Sequence, residues 1–237
     1  MPEPTMPNWM SPRALASSAR RAAYGLLDWR SHAGQLARQM AATGALVALL
    51  LTSGGSASAQ ADADQGRRAA RAAAKIFEET CYGLLPNLDA IAQLAQKRQW
   101  QPITGAALRA LMPQERPEMI LAWNATVDGT TFPLSVTPAR VDPDLVRDMP
   151  RFAGGTSFHC SILLHAKSPP QHAAELIVKL MGRPADATAD AGRMRYSTWA
   201  GQNEKMLVFV QHGQVLAGGR PMAGGGLLSV SINRIKE

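Results

Sequence analysis

The stretch Ala41-Ala-Thr-Gly-Ala-Leu-Val-Ala-Leu-Leu-Leu51, followed by Gly54-Gly-Ser-Ala-Ser-Ala-Gln60, constrains this chain most. An apolar run of about 11 residues falls well short of the roughly 20 that a helix needs to cross a bilayer. It suits the hydrophobic core of a secretory signal, and Ala57-Ser58-Ala59 supplies the small residues of a signal-peptidase site. The expected organisation is therefore a leader over 1–59, removed between Ala59 and Gln60, and a single domain over 60–237 with no transmembrane segment. The expected location is the periplasm.

Some 40 residues precede the apolar run, more than an ordinary basic n-region holds. Three readings stay open: a start codon assigned too early, a long basic n-region, and an Arg-rich organellar transit segment. The leader holds Arg13, Arg20, Arg21, Arg30 and Arg38 against Glu3 and Asp28, so it carries part of the chain's formal charge of +7. The remainder has 20 basic and 16 acidic side chains. That surplus gives no electrostatic case for nucleic acid.

Both cysteines, Cys81 and Cys160, lie beyond the expected cut. Residues 66–84 read as a helix with Ala69, Ala73, Ile76, Phe77, Thr80 and Leu84 on one face, and Cys81 shares that stripe. Residues 157–165 alternate as a strand, with Phe158, Cys160, Ile162 and Leu164 on one face and His159, Ser161, Leu163 and His165 on the other. Each thiol thus points into the core from its own element, and an oxidising compartment pairs them. Closing a loop of this length is worth roughly 4 kcal/mol in the chain-entropy account. Two buried free thiols, or a reactive thiol with His159 or His165 as its base, are the alternatives.

Along the rest of the chain, Asn87 caps a second helix with Leu88, Ile91, Ala92 and Ala95 inward, and residues 106–112 suit a short helix. From Glu118 the period changes to 2, and Asp128-Gly129 marks a hairpin. Pro133 in its second strand predicts an edge or a bulge. Residues 138–156, with three prolines and Gly154-Gly155, read as a long mobile loop. A helix over 171–181 follows, its inner face Ala174, Ile177, Val178 and Met181. Strands over 194–199, 205–211 and 227–235 complete the chain, the last two joined by a Gly-rich connection over 218–226. The order predicts an α+β domain: an antiparallel sheet of about six strands, two N-terminal helices and one mid-chain helix packed on it, and one disulfide. Helix-then-three-strands occurs twice in this order.

No catalytic or ligand-binding motif rises above background. His159, His165, His172 and His212 lack metal-ligand spacing, and no Gly-x-Ser-x-Gly occurs. Glu78-Glu79 point apart on a helix, and a strand rather than a helix follows the 218–226 glycines. Trp100, Trp123, Trp199 and Tyr196 suit a core or the lining of a cleft. No catalytic, cofactor-binding or metal-binding residue is assigned, and no cofactor is expected.

The landmarks Thr80-Cys81-Tyr82, Ala122-Trp123, Phe158-His-Cys160-Ser161 and Leu228-Ser-Val-Ser231 resemble those of small exported bacterial proteins of unknown function, over roughly 66–237. That resemblance implies an envelope protein and brings no functional residues with it. The expected role is a non-enzymatic domain that binds an envelope protein or a small ligand. The alternative is a periplasmic hydrolase with a histidine site near the Cys160 strand.

Overall fold

The computed structural model describes residues 55–111, 119–164, 170–191 and 193–236. The expected leader falls outside these residues up to Gly54. The first helix, α1 (Gly55–Phe77), contains the Ala59–Gln60 bond and starts earlier than the predicted position 66. A π-helical turn, Glu78–Tyr82, extends it and carries buried Thr80 and Cys81, with the Thr80 hydroxyl donating back to the Ile76 carbonyl. Then come α2 (Leu88–Lys97), β1 (Gln101–Pro102), α3 (Gly105–Leu111), β2 (Leu121–Val127) and β3 (Thr130–Arg140). α4 (Pro143–Asp148), β4 (Thr156–Leu164) and α5 (Pro170–Met181) follow. β5 (Ala187–Ala191), β6 (Met194–Gln202), β7 (Met206–Ala217) and β8 (Arg220–Arg234) end the described chain.

The fold is α+β, as the element order predicts, but the described residues form eight antiparallel strands and five α-helices rather than six and three. The sheet runs β1-β2-β3-β4-β8-β7-β6-β5. Each half is a helical segment followed by an antiparallel meander that starts at an outer edge and ends at the centre. β4 and β8, the last strand of each half, pair antiparallel over nine residues, from Thr156↔Arg234 to Leu164↔Gly226. The twice-read block is thus realised as two similar halves meeting edge to edge, which leaves neither central strand open.

One face of the sheet is apolar. Val136, Cys160, Val230, Val210 and Trp199 stand side by side across five strands, all buried. α1 packs here against β2, β3, β4 and β8, α5 against β7 and β8, and the two helices against each other. Ala69, Ala72, Ala73, Ile76 and Phe77 of α1 join Ala173 and Ile177 of α5 in this core. The inner face of α5 is therefore rotated from the expected one: Ala173 is buried in place of Ala174, and Val178 is 40% exposed. The Cys81–Cys160 disulfide, both residues fully buried, ties the π-turn to the central strand.

Several local expectations are met and three are corrected. Asn87 caps α2 by accepting from Ala90 N at 3.0 Å. Asp128 (φ 49°) and Gly129 (φ 74°) form the two-residue turn between β2 and β3, both left-handed as such a hairpin requires. Pro133 is in an interior strand without a bulge, contrary to expectation. Its ladder with β4 begins only at Leu134, and Pro138 lies beyond the end of β2, which stops opposite Val136. Each proline thus occupies a place where one neighbour has run out and no N–H is needed there.

Residues 138–156 are not a long loop either. β3 continues to Arg140, and α4 and a 3-10 turn (Pro150–Phe152) fill the rest. Phe152, fully buried, packs with Val141, Ala200, Leu207 and Phe209 in a second small core on the other face of the sheet. The third correction concerns the Gly-rich run. Gly218-Gly219 make a two-residue hairpin with both φ positive, while Gly224 to Gly226 lie inside β8. There a Cβ at Gly226 would stand 2.4 Å from the Gly213 carbonyl oxygen, so only glycine lets the two strands pair.

The C-terminal end of α2 carries a testable strain. Trp100 N donates to Ala95 O at 2.9 Å and Gln99 N to Gln96 O at 3.0 Å, which places exposed Gln99 at φ 56°. Glycine adopts that left-handed conformation without the Cβ clash. Gln99→Gly is expected to raise stability by about 0.5–1 kcal/mol, read as a higher urea midpoint at unchanged slope.

Candidate functional site

The second face of the sheet is polar at its centre. Ser135, Ser161, Ser229, Gln211 and Thr198 form one row across β3, β4, β8, β7 and β6, with Gln211 Nε2 donating to Thr198 Oγ1 at 3.4 Å. In the next row, Thr137, His159 and Ser231 are neighbours on β3, β4 and β8. Ser157, two residues before His159 and on the same face, lies with its Oγ 2.9 Å from His159 Nε2. His159 is exposed, and Ser135, Ser161 and Ser231 are half-buried. The result is a hydroxyl-lined patch around one accessible imidazole.

The alternation that places this patch is legible in β4, where His159 and Ser161 fall opposite Cys160 as expected. The contributions of Ser135 and Ser231 depend on strand order, which no local pattern reports. The signal in Ser229-Val-Ser-Ile-Asn233 is a polar face opposite a buried one, without any indication that β8 lies beside β4.

The patch offers hydrogen-bond donors and acceptors. Ser157 has an imidazole within reach but is 1% exposed, so its Oγ does not face a substrate. The other histidines are elsewhere. His165 lies outside the described residues. His172 is on α5 with Nδ1 3.4 Å from Glu175. His212 is on the opposite, helix-covered face and 1% exposed. Among the described residues no three His, Cys, Asp or Glu side chains gather as metal ligands. A depression lined by Arg140, Val141, Gly154 and Gly155 brings in one charged side chain. Glu79 ion-pairs with Arg98 at 2.6 Å.

The aromatic residues hold the core and close the sheet edges. Trp100 is 5% exposed and its Nε1 donates to Thr126 O at 3.3 Å. Ile103 N donates to Ala122 O at 2.8 Å, and Gln101 pairs with Asn124. The outer edge of β2 is therefore occupied by its own upstream segment. At the other end, Trp199 Nε1 donates to Arg183 O at 3.0 Å, and Arg183 ion-pairs with Asp186. Asp186 in turn accepts from Ala200 N at 2.7 Å, its own N–H donating to Thr198 O. The five-residue edge strand β5 carries Asp190, held by Arg195 through contacts of 2.7 and 3.0 Å. That pairing keeps the Asp190 carboxyl below its usual range. A short edge with a fixed charge resists strand addition.

Tyr196 is fully buried on the polar face, its ring beside Gly213, where a Cβ would come within 3.0 Å of it. Burial pushes its phenol well above the usual range. Among the described residues no helix is long and apolar enough to cross a membrane. The chain matches no family model, no curated protein and no solved structure.

Proposed function

We propose that this chain is an exported, disulfide-stapled domain of the bacterial periplasm that works by binding an envelope protein or a small polar ligand rather than by catalysis. The observation that carries the reading is the buried Cys81–Cys160 bond between helix and central strand. A bond of this kind belongs to oxidising compartments. It agrees with the apolar run and Ala57-Ser58-Ala59 upstream of the domain. The binding surface is the patch around His159, Ser161, Ser135 and Ser231, because both sheet edges are closed or short and the apolar face lies under helices.

Cell fractionation with N-terminal sequencing tests the address: the expected product is periplasmic, begins at Gln60, and shows no reactive thiol when denatured without reductant. A full-length cytoplasmic product with two free thiols overturns it. For the surface, Ser161→Trp is expected to abolish cross-linking to the partner while leaving thermal stability within about 1 kcal/mol, since Ser161 is half-buried rather than buried. The hydrolase reading rests on the Ser157–His159 contact. It requires that Ser157→Ala remove a hydrolytic activity of the purified domain.

A further inference from the structure

Three histidines fall within the described residues, and His212 is the buried one: 1% exposed, against half-buried His172 and exposed His159. It stands on β7 between Ser197 of β6 and Leu228 of β8, on the face that receives the helices. α5 packs over β7 and β8 on that face. Neither ring nitrogen has a hydrogen-bond partner among the described residues. Protonation would turn both nitrogens into donors and add a charge at a site where, among the described residues, neither nitrogen is hydrogen-bonded.

The charged groups around it are engaged elsewhere or near solvent. On β6, Arg195 holds Asp190. On β8, the neighbours on this face are Leu228 and Val230. On α5, His172 contacts Glu175 and Lys179 is exposed. On α1, Arg71 and Lys75 are exposed.

The two helices over this face are held unequally. α1 leads directly into the disulfide-bonded π-turn. α5 has 12 residues, of which Ala173 and Ile177 are fully buried, and no disulfide joins it to the sheet. A charge beneath this layer reaches water most cheaply by displacing α5. We propose that His212 is an acid-sensitive latch: its protonation releases α5 from the sheet while α1 stays in place, uncovering the apolar surface shared by Ile177 and Leu228.

Burial lowers the His212 pKa to about 4 in the closed form, against 6.5 for a solvated imidazole. The closed form is thus fully favoured above pH 6.5 and loses ground as pH falls towards 4. Across that window the open-to-closed ratio rises by about two orders of magnitude. Below it the ratio levels off.

The experiment follows ANS fluorescence and far-ultraviolet circular dichroism of the full chain, disulfide intact, from pH 7.5 to 4, together with the imidazole proton shifts of His212. The expected result is an ANS rise below pH 5 with helix content largely kept, absent in His212→Leu. His212→Gln, which does not titrate, should also lack it. The proposal is overturned if either folded variant shows the wild-type ANS rise. It is equally overturned if the wild-type His212 resonances titrate near 6.5 with no change in ANS fluorescence.

Discussion

Cys81→Ala/Cys160→Ala loses about 4 kcal/mol of stability, a large share of what a domain of this size possesses. The bond spans 79 residues of sequence, so its removal restores considerable freedom to the unfolded chain. Urea denaturation of the purified variant checks it: the midpoint falls steeply, and the protein melts about 10 °C or more below the wild type. A midpoint unchanged within about 0.5 kcal/mol would mean that the staple constrains little. The double variant is the right comparison, because a single substitution leaves an unpaired buried thiol. Since both residues are fully buried, reductant added to the folded wild type is expected to act only as fast as the protein opens.

Gly155→Ala is the second large effect, and it comes from backbone contact rather than from φ. Gly155 closes the turn after the 3-10 segment, its N–H donating to Phe152 O at 3.0 Å. A Cβ placed there would stand 2.0 Å from the Arg234 carbonyl oxygen and 3.0 Å from that of Phe152. Both obstacles are main chain, and Arg234 is already paired through the Thr156 register to β4. Relief requires parting the β4–β8 ends or rebuilding the turn that seats Phe152. The expected cost is about 3 kcal/mol, at the upper end of overpacking effects. Chemical denaturation gives the value, and hydrogen exchange should show lost protection at both the β4–β8 end and α4. Gly129→Ala is the informative contrast. Its Cβ meets nothing within 4 Å, so only its φ of 74° is penalised, at about 1 kcal/mol. Equal losses in the two variants would refute the contact explanation.

Local chemistry made many elements readable. Asn87 marks a helix start because its side chain meets the amide three residues on, and Asp128-Gly129 marks a hairpin because both residues tolerate left-handed backbone. The alternation in Phe158-His-Cys-Ser-Ile places Cys160 and His159 on opposite faces. Misread segments lacked such a local signature. β5, Ala187-Thr-Ala-Asp-Ala191, has little strand propensity and exists by pairing with β6. β1 is two residues long and is defined by Asn124 and Trp123 across from it. Gly224 to Gly226 resemble a linker, yet they lie in a strand that pairs with β7, where Gly226 approaches the Gly213 carbonyl too closely for a side chain.

By itself the sequence determined the class of fold, the inward placement of the two cysteines and the polar character of the face bearing His159. Those properties follow from periodicity and composition, which neighbouring residues carry between them. Tertiary structure alone decided that β4 meets β8, and thereby which hydroxyls surround His159 and that the imidazole of His212 is buried on the helix-covered face. The physical reason is that pairing between distant strands and the burial it produces are set by the joint packing of the whole sheet and its helices, not by any one stretch of chain.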